Sequence, residues 1–443
     1  MKKRRLIVLS VDAMVYEDLA YIRTLPHFSM LFDGGSRVER VRSVYPSITY
    51  PAHTTMSTGC WPHRHGIVNN EKLDIGNLRP DWEWFASAVQ TDTILDAAKR
   101  AGYTTCAVNW PVTGISPSVD YLVNEIWSWE DGVDPVALHR AHGSSPETLR
   151  VVARHAPILE KNAHPQIDLF GHRCAADLLR EFQPEVLLLH QAYVDNMRHR
   201  TGLFNDQVRE ALRLSDEWFG ELVQAARDAG VFEETDFVVT SDHGQLDIKR
   251  ILSPNVALAD RGFLQVGPDG AIERWDAYCK SAGMSAQVYL RPGADERLYQ
   301  RVYDTLRDLC DEGIYGISRV FTRAQADAEQ RLAGDFSFVL ETDGYTSFSD
   351  RWQRPMVTPF DLTDYKYGRA THGHLPEKGP QPPFLVWGPH FAENVVLPEA
   401  TLADEAPTYA ALLGVELPQA EGSALWELLR ERPAGIPAGR GGI

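Results

Sequence analysis

Short apolar runs alternate with helix-like stretches through the first 250 residues of the chain. Residues 6–11, 103–110, 186–190 and 236–240 are β-rich runs of strand length, and 93–100 carries helical periodicity. Between 206 and 230, Val208, Leu212, Leu214, Trp218, Leu222 and Ala225 recur near helical spacing. That stretch does not read as one clean element, but it is expected to cover the sheet ahead of strand 236–240. Alternation of this kind predicts β-α-β units: an α/β core with a central, mostly parallel sheet flanked by helices.

After Asp242 the pattern changes. Residues 286–291 read as a strand, 295–310 as a helix, and 317–321 and 335–341 as two further strands, a β-α-β-β series suited to a small inserted α/β domain. The core pattern resumes at 383–388 and closes with a helix near 406–413. The expected division is therefore a catalytic core over 1–250 and 365–430, an inserted cap over 251–364, and a flexible tail over 431–443, where Gly and Pro are frequent.

Composition narrows the class. With 443 residues the chain is long enough for two to three units at roughly 150 residues each. The 44% hydrophobic and 24% charged content describes a globular protein. A net charge of −17 repels polyphosphate backbones, so duplex nucleic acid is excluded as a partner, and an anionic small substrate would need bound cations to reverse the local field. No apolar run approaches the ~18 residues of a membrane span. The basic start, Lys2-Lys-Arg-Arg5, precedes an apolar stretch that ends at Ser10, so it reads as a first strand rather than a leader. Five scattered cysteines without a C-x-x-C fit free thiols in the cytoplasm, and no N-x-S/T sequon is present. The pattern carries no signal for an oligomeric state.

Four segments carry acidic or imidazole groups, and three of them follow predicted strands, where open α/β sheets place their sites. They are Asp12, Asp195 with His199, Asp242-His243-Gly244, and Thr371-His372-Gly373. Three Asp and three His suit two borderline divalent ions with mixed oxygen and nitrogen ligands. Taken singly, each has a plainer reading: an Asp after a strand is commonly a turn or cap, and Asp195 and His199 at i, i+4 could form an ordinary helix salt bridge. His63, His65 and His374 read as surface or supporting histidines. A fifth segment, Tyr45-Pro-Ser-Ile-Thr49-Tyr-Pro51, stiffens Thr49 between prolines, and a helix through 54–58 would aim its N-terminus at an anion held there. A hydroxyl is inert until a metal or base activates it. The alternative is a Pro-rich surface loop with capping threonines.

Together these segments resemble the alkaline phosphatase superfamily, and within it the type I phosphodiesterase/nucleotide pyrophosphatase family. The resemblance rests on Val11-Asp12-Ala13, Tyr45 to Pro51, Gly59-x-x-Pro-x-x-His-Gly-Ile-x-x-Asn70, Asp195-x-x-x-His199, Asp242-His243-Gly244 and His372-Gly373. It covers nearly the whole chain apart from details of the insertion and the tail. It implies an alkaline phosphatase-like core and a hydrolase of phosphodiester or pyrophosphate bonds. Asp195, His199 and His372 would hold one zinc, and Asp12, Asp242, His243 and the Thr49 hydroxyl the other, with manganese also suited to these ligands. Thr49 would attack phosphorus through a covalent phosphothreonine intermediate, and Asn70 would donate to a phosphoryl oxygen. Tyr50 and Trp110 fall where relatives bind the substrate's aromatic group. The implied partner is a small phosphodiester or nucleotide-like substrate.

Two positions depart from the family pattern: Ala52 where Asn is frequent and Ile48 where Lys is frequent. Sulfatase chemistry is disfavoured because the segment around Thr49 lacks a C/S-x-P-S-R motif. Hydrolysis of a C–P bond, as in phosphonoacetate hydrolases, remains the main alternative, with Lys72 the nearby lysine for a carboxylate. Phosphomonoesterase, mutase and zinc-containing sensor readings share the same ligands.

Overall fold

The computed structural model describes residues 3–128, 132–160 and 163–431. In chain order the strands used below are β1 (Arg5–Val11), β2 (Ser36–Arg42), β3 (Thr105–Val108), β4 (Tyr121–Val123), β5 (Val186–Gln191), β6 (Thr235–Thr240), β7 (Ala277–Ser281), β8 (Ser285–Leu290), β9 (Ile317–Thr322), β10 (Phe338–Thr342), β11 (Phe384–Trp387) and β12 (Val396–Thr401). The principal helices are α1 (Thr49–Thr58), α2 (Ile94–Arg100), α3 (Gln166–Phe182), α4 (Tyr193–Thr201), α5 (Asp206–Asp228), α6 (Glu296–Asp311) and α7 (Glu405–Leu413).

Eight strands form the central sheet in the order β12-β2-β11-β6-β1-β5-β3-β4. All neighbours are parallel except β11, which runs antiparallel to both β2 and β6. β1 lies at the centre, with Leu6 to Val11 opposite Val186 to Gln191 on one side and Arg5 to Ser10 opposite Thr235 to Thr240 on the other. Its alternate residues feed two different layers. Ile7, Leu9 and Val11 pack with α3 and α5, whereas Leu6 and Val8 pack with α2, α7 and Met56 of α1. A sheet apolar on both faces must be covered on both, which explains the continuous hydrophobic runs. Because β1, β5 and β6 are parallel and in register, their C-terminal ends open at one edge, and Asp12, Asp195 and Asp242 all follow those ends.

The stretch 206–230 is one helix, α5, from Asp206 to Asp228. Asn205 starts it by accepting from the Gln207 and Val208 amides at 3.0 and 3.1 Å. The sequence pattern looked broken because two polar residues sit on the buried face. Asp216 accepts from the amides of His27 and Phe28, and Ser215 accepts from Gln191.

The inserted region contains a four-stranded antiparallel sheet in the order β7-β8-β10-β9, covered by α6. It has its own apolar cluster, including Tyr278, Ala286, Val288, Leu298, Val302, Leu306, Phe338 and Leu340. For this sheet the expected β-α-β-β series lacks β7 and the short helix Arg323–Gln330 that precedes β10, and the region also holds the helix Pro254–Asp260 and the short strands Leu264–Val266, Ile272–Trp275, Thr346–Phe348 and Val357–Pro359. β7, Ala-Tyr-Cys-Lys-Ser, is buried along its whole length, and its lysine disguised it as surface. Of the tail expected over 431–443, everything after residue 431 lies outside the described residues. Among the described residues no helix is long and apolar enough to cross a membrane.

Candidate active site

Thr49 begins α1 rather than preceding a helix at 54–58: the helix runs from Thr49 to Thr58, with Ile48 as its N-cap. The Thr49 hydroxyl thus lies in the first turn, where amides are free and the helix dipole is positive. Its Oγ1 is 3.3 Å from Nε2 of His243. Asn70, 21 residues later, accepts from the Tyr50 amide through Oδ1 at 2.8 Å. An amide N–H can only donate, so this bond fixes which end of the Asn70 carboxamide is oxygen. The other end, Nδ2, is buried without a hydrogen-bond partner.

The acidic and imidazole groups converge beside this helix end. Ligand atoms of Asp195, His199 and His372 lie within 4.8 Å of one another, and so do those of Asp12, Asp195 and His243. Asp195 therefore belongs to both groups. Its Oδ2 is 3.0 Å from His199 Nε2 and its Oδ1 3.8 Å from His372 Nε2. His243 Nε2 stands 3.1 Å from Asp242 Oδ2 and 3.5 Å from Asp12 Oδ1. Asp242 also accepts from the Ala13 amide through Oδ1 at 3.2 Å. The structure brings together Asp12, Thr49, Asn70, Asp195, His199, Asp242, His243 and His372, drawn from positions 12 to 372.

This constellation is short of positive charge. Burial, and then the Asp195 carboxylate, push Asp12 well above the usual carboxylate range, while burial and then Asp12 do the same to Asp242. Burial works against ionisation of Asp195 too, but His199 overcomes it and holds the group down at about 2. Burial, reinforced by neighbouring histidines, pushes His243 and His372 well below the ordinary imidazole value. Asp12 Oδ1 and Asp242 Oδ2 are buried acceptors without hydrogen-bond donors. Buried carboxylates with unshared lone pairs, beside the His243 and His372 imidazoles kept neutral, are a donor set that suits a divalent cation.

Supporting residues fix these ligands. His190, at the end of β5, reaches Asp12 Oδ2 through Nε2 at 3.0 Å and the Asn109 carbonyl through Nδ1 at 3.1 Å. His53, one turn after Thr49, contacts the Thr49 carbonyl at 2.8 Å and Ser10 Oγ at 2.9 Å. Gln245 donates to Asp195, and the His199 Nδ1 atom meets the Ala370 carbonyl at 2.7 Å. Such partners orient ligands before any ion binds. Gly373 shows how tightly His372 is held. Its φ is +100°, and a Cβ there would lie 1.8 Å from the Ala282 carbonyl, so only glycine lets the chain carry His372 past the β7–β8 turn.

The family profile described as type I phosphodiesterase / nucleotide pyrophosphatase matches residues 6–373. The chain belongs to this family. Ectonucleotide pyrophosphatase/phosphodiesterase family member 3 of Rattus norvegicus is 24% identical over 250 residues, covering 54% of this chain and 24% of the relative. Bis(5'-adenosyl)-triphosphatase ENPP4 of Pongo abelii is 22% identical over 311 residues, covering 65% and 61%. The match to the first curated relatives spans from 24% to 45% of their own lengths. Murine ectonucleotide pyrophosphatase/phosphodiesterase 5 has the same fold, with a TM-score of 0.67 at 19% identity over 96% of this chain and 100% of that one. An inactive variant of that murine protein, solved in complex with AMP, aligns with the same TM-score at 18% identity over 96% of this chain and 100% of that one. The alkaline phosphatase-like α/β fold expected from the motifs is therefore present.

Among the remaining expected residues, Trp110 is 1% exposed, meets His53 edge-on at 4.9 Å and borders a cavity with Thr54, Pro111 and Val112. Tyr50 is fully buried behind Trp82, with ring centroids 5.1 Å apart. Beside these buried rings, Trp82, Trp127 and Tyr365 form a partly exposed aromatic group, and Tyr365 stacks over His372 at 5.5 Å. His65 and His374 are buried, not surface groups, and burial pushes them down to about 3 and about 4. His63 is half-buried between Asp327 and Glu421. The departures Ile48 and Ala52 are buried apolar contacts. The lysine considered for a substrate carboxylate, Lys72, lies over the Phe85 ring at 5.5 Å. His53, His190, Gln245 and Tyr365 were missed because each looks ordinary in sequence. Only the helical step from Thr49 to His53 and the strand-end position of His190 hinted at them.

Proposed function

We propose that the protein hydrolyses phosphodiester or pyrophosphate bonds of small nucleotide-like substrates, with Thr49 as nucleophile. The observation that carries this reading is the Thr49 hydroxyl 3.3 Å from His243, whose group is joined to the Asp195-His199-His372 group through Asp195, with Asn70 tied to the amide of the next residue, Tyr50, and its Nδ2 left unpaired. Asp195, His199 and His372 would hold one divalent ion, and Asp12, Asp242, His243 and Thr49 Oγ1 a second, with zinc favoured by the ligand types and manganese compatible. Such ions supply Lewis-acid charge that lowers the hydroxyl pKa and offsets charge on the phosphoryl oxygens.

The chain's own groups do the rest. α1 presents Thr49 at its positive end, oriented by His53 on the carbonyl behind it. Oγ1 attacks phosphorus, the ester oxygen opposite departs, and a phosphothreonine forms; water then attacks the same phosphorus and returns Thr49. Asn70 Nδ2 donates to a non-bridging oxygen throughout. Lys280 and Lys366, which meet Glu71 next to Asn70, are paired with carboxylates rather than free to clamp a monoester dianion, which favours diesters. We also assign 251–364 as a cap on the strength of its separate sheet and apolar cluster, and a cytoplasmic location on the strength of five unpaired cysteines.

The test is a set of rates on bis(p-nitrophenyl) phosphate, p-nitrophenyl phosphate and phosphonoacetate, using protein stripped and reconstituted with zinc or manganese. Metal-dependent turnover with the diester fastest is expected. Faster release from the monoester or from phosphonoacetate would overturn the substrate assignment, and turnover without metal would overturn the mechanism.

A further inference from the structure

Directly after Asn70, Glu71 enters a buried group of four charges. Lys280 of β7 contacts Glu71 and donates to Asp350 Oδ2 at 2.7 Å. Lys366 donates to both Glu71 oxygens at 3.0 and 3.1 Å and stands 3.7 Å from Asp350. All four side chains are nearly inaccessible, the two lysines at 2% and 1%. Two cations and two carboxylates balance, and although burial opposes ionisation, the two lysines hold Asp350 below the usual carboxylate range. An apolar cluster of the same volume would be at least as stable, so a buried charge set of this kind is more readily explained by the geometry it specifies than by stability.

The geometry it specifies lies on both sides of the site. Glu71 is one residue from Asn70, and Lys366 one residue from Tyr365, whose ring covers His372 and meets His199 edge-on at 5.7 Å. Lys280 comes from the inserted sheet. The strap is reinforced next to it: Gln287 of β8 donates to the Val68 carbonyl at 2.6 Å, and Asn69 donates to the Ser281 carbonyl at 3.1 Å and Gln287 Oε1 at 3.2 Å. Asn69 Oδ1 in turn accepts from the Glu71 amide at 3.2 Å. The loop 68–71 is therefore built against the insertion as well as against the core.

We propose that Lys280 and Lys366 are positioning residues: through Glu71 and Tyr365 they hold the Asn70 carboxamide and the aromatic cover at fixed reach from Thr49, so that the inserted sheet is a working part of the active site. This rests on the reading of Asn70 as the phosphoryl-oxygen donor given above. Neither lysine touches substrate.

The experiment is a double-mutant cycle on the holoenzyme with bis(p-nitrophenyl) phosphate. Lys280→Met is expected to lower kcat about tenfold or more while KM and bound metal per chain stay near wild type, and Lys280→Arg is expected to recover part of the rate. In an Asn70→Ala background, Lys280→Met should lower kcat little further. If the two losses multiply, or if Lys280→Met keeps wild-type kcat, the positioning role is overturned while the Asn70 reading stands. If Asn70→Ala alone keeps wild-type kcat, both are overturned. Should Lys280→Met not fold, Glu71→Gln, which leaves Asp350 to pair both lysines, enters the same cycle with the same expectations.

Discussion

A single bond gives Asn70 its direction: because its oxygen is spent on the Tyr50 amide, its nitrogen is left as a donor with nothing to donate to. Removing an equivalent donor from an oxyanion site costs about 10²–10³ in kcat, so Asn70→Ala should lower kcat by about 10²-fold with KM near wild type, as read by steady-state kinetics. Thr49→Ala should abolish turnover while metal analysis still finds the ions partly retained, since only one ligand of one site is lost. Asp195 is a sharper probe. As a ligand of the first proposed ion, with an oxygen also within 4.8 Å of the Asp12 and His243 ligand atoms, it should on Asp195→Asn substitution empty the first site and weaken the second, and full occupancy of the first site would contradict its assignment. At this scale the sequence pointed to the residues that cluster because each is an acidic or imidazole residue just after a strand or beside a glycine. It did not reveal His190 or His53, whose partners are 178 and 43 residues away.

Elements convert those residues into a site. α1 was expected to begin at 54, but the turn at Thr49-Tyr50-Pro51 is already helical, since proline near a helix start fits its fixed φ and loses no intrahelical bond. Gly373 tests the connection between elements. Gly373→Ala should destabilise by roughly 1–3 kcal/mol, measured by denaturant titration, because the backbone is left-handed and the new Cβ meets a carbonyl. α7 offers a pH test on a carboxyl outside the proposed ligand set. Burial pushes Glu405 up to about 8, with Thr240 and Tyr409 donating to its oxygens at 2.8 Å. The folded state therefore keeps a proton that the unfolded chain releases near the ordinary value of 4.5. Its stabilisation is complete below that value and declines as pH rises towards 8, at up to about 1.4 kcal/mol per pH unit. Relative to Glu405→Gln, the wild type should lose thermal stability between pH 5 and 8 and then level off, in melts recorded across that range.

For the whole molecule, the proposed ligands, from the end of β1, α4, the loop after β6 and the chain after the insertion, meet only in the folded state, so the proposed metal binding is coupled to folding. Chelation should lower Tm, by an amount corresponding to about 4 kcal/mol for each ion held at a thousandfold excess over its Kd, and reconstitution should restore it in calorimetry. An unchanged Tm on chelation would mean that the carboxylates do not need cations. The acidic net charge makes the same point globally, since a chain at −17 reaches an anionic phosphate more readily with bound cations.

The sequence by itself determined the α/β class and the family, and it pointed to the acidic and imidazole residues that the fold gathers. Hydrophobic period is local, and strand ends mark where side chains leave a sheet. The tertiary structure decided what period does not encode: that 206–228 is one helix despite Ser215 and Asp216, that β7 is a strand despite Lys280, and that Trp110 is buried. In each case a polar or aromatic residue was read by its usual environment, and its actual partner came from a distant part of the chain. The same holds for Asp195 standing between both groups and for the four buried charges beside Asn70. Such contacts join segments up to 295 residues apart, and no spacing along the chain records them.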